Sequence, residues 1–237
     1  MPFDWTRALR TTPARLDVGR AGTRPRTATW LAFQRDHAAA RDAVWSAWSP
    51  AFVARLEALG FLVVRSAAAD RLTYVREPPR GRRLADGEAE RIRAANAGAA
   101  STPLVQLVLS DGLSARAAEA HLPRLWPGLE RGLAALGPAA PPVAVVNGRV
   151  AVGDAVAIAS GARLVVHLIG ERPGLAAPDS LGCYLTLAPA PDTTDAERKC
   201  LSNIRPAGLD PAEAGAAIAG VCRSILERGS SGTDLVL

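Results

Sequence analysis

Long apolar runs are missing from these 237 residues. No stretch reaches the roughly 18 residues that a membrane-spanning helix needs, so the chain reads as globular, with no membrane partner expected. Cysteine is scarce: Cys183, Cys200 and Cys222 are odd in number and show no CxxC spacing. That excludes a disulfide framework and a paired-cysteine zinc site, and it fits free thiols in a reducing compartment. The three histidines, His37, His121 and His167, lie too far apart in sequence to make a metal motif. There is no GxGxxG turn and no Walker A loop. Gly19-Arg20-Ala21-Gly22 has suitable residues but precedes a helical pattern instead of following a strand. The start, MPFDWTRALRTTPARL, has no apolar core behind its basic residues, so no secretory signal is expected.

Aromatic residues are also few, at 5%, and that bears on the net charge of +5. Residues 1–100 hold 17 basic and 10 acidic residues, a balance of +7, and the remainder holds 11 and 13, a balance of −2. All but one of the 28 basic residues are arginine, Lys199 being the exception. No basic stretch is interleaved with the stacking rings that single-strand binders require. Nucleic acid therefore ranks below an acidic protein partner or a polyanionic cofactor tail.

What is present is a change of pattern near residue 100. The first sixty residues read as helical, with Trp30, Leu31, Phe33, Ala38, Val44 and Trp45 near helical spacing. Ser49-Pro50 fits an N-cap followed by proline at the first helical position, and Gly60 fits a stop. Phe61–Arg65 and Arg71–Val75 read as short strands, Glu77–Arg83 as a loop, and Ala85–Asn96 as a helix. Then come apolar runs at Leu104–Leu109, Val143–Val146 and Leu164–Ile169, separated by helix-like sequence. A fourth run spans Cys183–Leu187, and the last helix runs from Pro211 to Arg228, with Asp210 as N-cap and Glu213 placed as its capping-box partner. Near-continuous apolar strands alternating with helices predict a mostly parallel sheet covered on both faces. The expectation is an α/β fold: a small, mainly helical N-terminal domain at residues 1–100 and a Rossmann-like, doubly wound domain at residues 101–237.

In such a sheet, ligands gather beyond the carboxyl ends of the strands. Three polar loops fall there: Asp111-Gly112-Leu113-Ser114, Asn147-Gly148-Arg149-Val150, and Gly170-Glu171-Arg172-Pro173-Gly174. Taken singly, their residues have ordinary readings. Glycines after strands are turn residues, Glu171 beside Arg172 is a surface pair, and Cys200 is a small apolar filler. Val150 reads as core, and His167, inside an apolar strand, as a satisfied core histidine. A Ser114–His121–Asp154 triad assembles on paper, but nothing resembles a nucleophile elbow.

Several segments, in order, resemble the light (small) chain of ethanolamine ammonia-lyase, an adenosylcobalamin-dependent enzyme. They are Thr12–Gly22, Phe33–Ala43, Asp111–Ala115, Asn147–Val150, Gly170–Leu175, Asp179–Tyr184 and Asp195–Pro206. The resemblance implies a helical domain followed by a Rossmann-like one. It also implies a large (heavy) chain as partner in a higher-order hetero-oligomer, and a cobalamin site shared with that chain, where ethanolamine becomes acetaldehyde and ammonia. On this reading the present chain is the non-catalytic subunit, and its cobalamin contacts fall on Val150, Glu171 and Cys200. The alternative is a corrinoid carrier or chaperone without turnover. The start of the helix after Ser114 offers N–H groups for the nucleotide phosphate. The sequence lacks the Asp-x-His-x-x-Gly pattern of enzymes that replace the cofactor's own base, so the cofactor is expected base-on. Only about a dozen residues precede the first matching segment, which predicts a cytoplasmic enzyme, with packaging in a bacterial microcompartment as the alternative.

Overall fold

The computed structural model describes residues 18–234 together with Arg7, Thr11, Thr12, Arg15 and Leu16. Of the matching segment Thr12–Gly22, residues 13, 14 and 17 lie outside that description. Where the spacing suggested helix throughout, a two-stranded hairpin comes first, β1 (Arg20–Ala21) and β2 (Arg24–Pro25). Gly22 sits in its tight reversal at φ +62°, a conformation that favours glycine. Helix α1 follows over Thr27–Trp45 and α2 over Pro50–Ala58. The expected cap of α2 is present: Ser49 Oγ accepts from the Phe52 N–H at 3.2 Å.

The remaining strands are β3 (Leu62–Arg65), β4 (Val105–Ser110), β5 (Val143–Val146), β6 (Leu164–Gly170), β7 (Leu181–Leu187) and β8 (Arg198–Ile204). Between and after them lie helices α3 (Arg71–Arg76), α4 (Glu88–Asn96), α5 (Ala115–Ala134), α6 (Val152–Ser160) and α7 (Pro211–Arg228). Strands β3 to β8 form one six-stranded mixed sheet in the order β3-β5-β4-β6-β7-β8. The first four are parallel, β7 runs antiparallel to β6, and β8 runs antiparallel to β7. The edge strand β3 and helix α4 come from the first hundred residues, so the sheet and its cover draw on both sides of residue 100.

The alternation of β4 divides the core. Val105, Leu107 and Leu109 point into a cluster with Leu122, Leu125 and Ile218 of α5 and α7. Val108 points the other way, into a cluster with Ile92, Val152 and Val156 of α4 and α6. Each such fully buried side chain contributes roughly 1.5–3 kcal/mol, which is why the central strands carry no charge.

Three local expectations are corrected. Arg71–Val75, read as a strand, is helix α3, because Asp70 caps it by accepting from the Thr73 N–H at 2.7 Å. Strand β8 was not expected. It lies at the sheet edge with Lys199, Ser202 and Asn203 along it, so it presents no apolar run. Asp210 caps α7 by accepting from the Ala212 N–H at 2.8 Å, whereas the reciprocal capping box is made by Thr194 and Glu197.

Candidate functional site

The parallel strands deliver the three polar loops to one rim, where they interlock. Asp111 is 2% exposed. Its Oδ1 accepts from the Gly148 N–H at 3.2 Å, and its Oδ2 lies 3.5 Å from Arg71 Nη1. The Leu113 N–H donates to the Gly170 carbonyl at 2.9 Å. A Cβ on Gly112 would stand 2.1 Å from that same carbonyl, and one on Gly170 would stand 2.1 Å from the Ser114 carbonyl. Only glycine fits at either contact. In the middle loop, Asn147 adopts φ +56° and is fixed on both sides. Its Nδ2 donates to the Ala68 carbonyl at 3.1 Å, and its own carbonyl accepts from Ser66 Oγ at 2.7 Å.

A cleft of about 420 Å³ opens on this rim, walled by Tyr74, Leu113, Arg149, Val150, Ile169, Glu171, Arg172 and Tyr184 among others. A second cleft of about 470 Å³ adjoins it and shares Arg149 and Val150. Arg82, Thr193, Thr194, Asp195 and Arg198 wall this second space. The two form one open trough with Arg149 at the divide. Tyr74 lies between two guanidinium groups, Arg71 at 4.5 Å and Arg149 at 4.3 Å from its ring centre. Arg149 Nη2 also donates to the Tyr74 carbonyl at 2.9 Å. Cation–π contact and hydrogen bond together fix where Arg149 points.

Val150 and Glu171 therefore share a cleft wall, and Cys200 stands one strand away. Cys200 is exposed and lies opposite Tyr184 in the β7–β8 register, with a hydrogen bond between their side chains. Partial shelter of the sulfur raises the Cys200 thiol above its usual range, so it stays protonated near neutral pH. Burial, then the Cys200 neighbour, pushes the Tyr184 hydroxyl up to about 12. The Glu171 carboxylate accepts from the Asn203 N–H at 3.2 Å and from the Ser180 hydroxyl.

His167 is a core residue, as its strand position suggested. Its Nδ1 lies 3.0 Å from the Val150 carbonyl and its Nε2 2.8 Å from Ser110 Oγ. A carbonyl only accepts, so Nδ1 carries the proton and Nε2 accepts from the serine. Burial pushes the ring's pKa down to about 4, which keeps it neutral.

The paper triad does not form. Ser114 is fully buried and its Oγ donates to the Pro178 carbonyl at 2.8 Å. His121 Nε2 donates to the Asp179 carbonyl at 2.8 Å, and Asp154 pairs with Arg198. The Ser114 hydroxyl, buried and spent on Pro178, is not free for the nucleotide phosphate expected at the start of α5. Among the described residues, no group of three His, Cys, Asp or Glu side chains is placed to hold a metal ion, and no helix is long and apolar enough to cross a membrane.

Sequence reasoning passed over Tyr74, Tyr184 and Asn203. A signal existed for the first two: the chain has only two tyrosines, and both wall this cleft. Asn203 acts through its backbone N–H, which leaves no mark on residue type.

Comparison with known proteins gives one result. The model of the ethanolamine ammonia-lyase light chain family matches residues 3–236. The chain is 45% identical over 235 residues to the ethanolamine ammonia-lyase small subunit of Xanthomonas campestris, covering 98% of this chain and 86% of that one. It is 46% identical over 236 residues to the Azotobacter vinelandii small subunit, covering 98% and 87%. With that of Bradyrhizobium diazoefficiens the identity is 49% over 234 residues, covering 94% and 87%.

Proposed function

Because the chain belongs to the ethanolamine ammonia-lyase light chain family, we propose that it is the cofactor-binding, non-catalytic subunit of that enzyme. Together with a large (heavy) subunit it forms the adenosylcobalamin site where ethanolamine is deaminated to acetaldehyde and ammonia. The observation that carries this reading is the trough: two clefts of about 420 and 470 Å³ joined at Arg149 and Val150, with Glu171 on the wall.

The residues fit the cofactor. A corrin is a broad disc with an apolar body and amide arms at its edge, and a site for it needs shape-matched surface with a few placed polar groups. The trough offers Val150, Leu113 and Ile169 as apolar floor and Glu171, Arg149, Arg172 and Tyr184 as polar edge. Glu171 accepts hydrogen bonds from amide arms while the Asn203 N–H holds its carboxylate in place. Val150 packs on the disc, and His167 fixes that residue's backbone from behind. Cys200 and Tyr184, both protonated, add a neutral face beside the acid. When bound, the cofactor supplies a homolysable cobalt–carbon bond. The base-on reading belongs to the same proposal: His167, behind the Val150 loop, has both ring nitrogens in hydrogen bonds and would not replace the cofactor's own base. An open trough covers one side of a disc, so the other side falls to the large subunit. The Rossmann-like, doubly wound classification of the parallel half belongs to the same proposal.

The test is co-expression with a large subunit, gel filtration and cobalamin titration. The two chains co-elute, the complex binds cobalamin and deaminates ethanolamine, and Glu171→Ala weakens cobalamin binding about tenfold, as the loss of a charged hydrogen bond predicts. If the isolated chain binds cobalamin as tightly as the complex, the chain is a carrier and the shared-site reading is wrong.

A further inference from the structure

The second cleft of the trough, about 470 Å³, gathers Arg82, Arg149 and Arg198 around a single acid, Asp195. Arg198 is matched where it stands: Nη1 meets Asp195 at 2.7 Å, and Nη2 pairs with the buried Asp154. The other nearby acids are taken too, Asp111 by Arg71 and Glu77 by Arg80. Among the described residues, Arg82 and Arg149 have no carboxylate partner. The backbone brings these two to one space. The Arg149 N–H donates to the Gly81 carbonyl at 2.7 Å. A Cβ on Gly81 would stand 2.7 Å from Arg149 Cγ and 3.1 Å from the Asn147 carbonyl oxygen. Glycine therefore lets the turn Arg80–Arg82 close on the loop that carries Arg149. The Arg149 guanidinium is half-buried, and its Nε is sheltered without a hydrogen-bond partner. A cation so held costs stability until an anion meets it. Thr193 Oγ1 accepts from the Ala190 N–H at 2.8 Å, which leaves its proton for a ligand.

Guanidinium groups bind phosphate through paired N–H···O contacts that suit their planar fork. The corrinoid proposed for the first cleft carries uncharged amide arms, and its one anionic side group is the phosphodiester of its nucleotide tail. The Ser114 hydroxyl already donates to the Pro178 carbonyl, whereas the second cleft is open and continuous with the first through Arg149 and Val150. We propose that Arg82 and Arg149 clamp this phosphodiester in the second cleft, with Thr193 as a neutral donor beside them. The proposal rests on the cofactor reading and deepens it: Val150 and Glu171 take the corrin, and the two arginines take the tail.

The experiment titrates the complex with the large subunit with three corrinoids: cobalamin, cobinamide phosphate, which keeps the phosphate but lacks the base, and cobinamide, which lacks both. Arg82→Gln, at an exposed position, and Arg149→Gln each weaken cobalamin and cobinamide phosphate by about tenfold, as loss of a charged hydrogen bond does, and leave cobinamide binding unchanged. Unchanged cobinamide binding also shows that the variants fold. Glu171→Ala weakens all three alike. If the arginine variants weaken all three by the same factor, or weaken none, the clamp is wrong and the cofactor reading stands. Loss of inorganic phosphate binding alone, with all three corrinoids bound as by wild type, assigns the cleft to free phosphate and likewise overturns the clamp. If the wild-type complex binds none of the corrinoids, the cofactor reading itself fails, and the clamp with it.

Discussion

His167 holds the Val150 carbonyl with a ring that stays neutral, and that neutrality has a pH signature. Its pKa is near 6.5 in an unfolded chain and is pushed down to about 4 by burial in the fold. Between those values the unfolded chain takes up the proton and the folded one does not. The stability contributed by the neutral ring is therefore full above about pH 6.5 and is lost as pH falls towards 4, by roughly 3 kcal/mol. Asp111 works oppositely in the same window, because burial raises its carboxyl to about 6, so its ionisation erodes stability as pH rises from about 4 to 6. A His167→Gln comparison removes the first effect and leaves the second. Urea denaturation should show the variant less stable than wild type at pH 7, with the gap narrowing by roughly 3 kcal/mol towards pH 4. A gap that stays constant with pH would count against the assignment. The buried Asp154–Arg198 pair makes a different prediction, since both side chains are under a tenth exposed. Asp154→Ala should cost about 1–3 kcal/mol, because the buried guanidinium loses one carboxylate but keeps Asp195 at 2.7 Å, whereas Asp154→Leu with Arg198→Met should recover most of it. Thermal melts of the two variants decide.

At the level of elements, α5 and α7 approach too closely for side chains between them. A Cβ on Gly215 would lie 2.5 Å from the Leu129 nitrogen and 2.6 Å from the Leu125 carbonyl oxygen. Backbone cannot yield as a flexible side chain can. Gly215→Ala gains about 1 kcal/mol of helix propensity but forces the helices apart at a cost of about 1–3 kcal/mol, so the net effect is destabilising. A chemical denaturation midpoint that rises would refute this. Such packing is only partly legible in a sequence. Strands β4, β5 and β6 were legible because burial on both faces demands uninterrupted apolar residues, and α7 because Asp210 and Pro211 mark its start. Helix α3 was misread because a five-residue run cannot reveal its period, and only the Asp70 cap distinguishes it. Helix α5 runs through Pro123 and Pro127, residues that by themselves argue for a break. Its packing against α7 and the sheet outweighs the hydrogen bonds lost. For the site, the rim position of the three loops followed from strand direction alone. The proposal that Val150, Glu171 and Cys200 contact the cofactor came from resemblance, because nothing in a valine or a lone cysteine announces a ligand.

For the whole molecule, charge and shape are unevenly divided. The basic excess and the exposed rings lie towards the N-terminus, while the trough lies at the strand ends of the sheet. The trough's far wall depends on β8, an edge strand whose one neighbour in the six-stranded sheet is β7. Edge strands open at the lowest free energy in a sheet. When β8 opens, the Asn203 N–H lets go of Glu171 and Cys200 leaves Tyr184 in the same motion. If Glu171 contacts the cofactor as proposed, a bound cofactor would favour the closed strand over any frayed one. Hydrogen exchange should show it: cobalamin bound to the assembled enzyme slows amide exchange along β8 by about tenfold or more, while amides of β4 in the centre of the sheet keep their rates. On the proposed site, affinity for the cofactor would then be set as much by how often an outer strand lifts as by what touches the corrin.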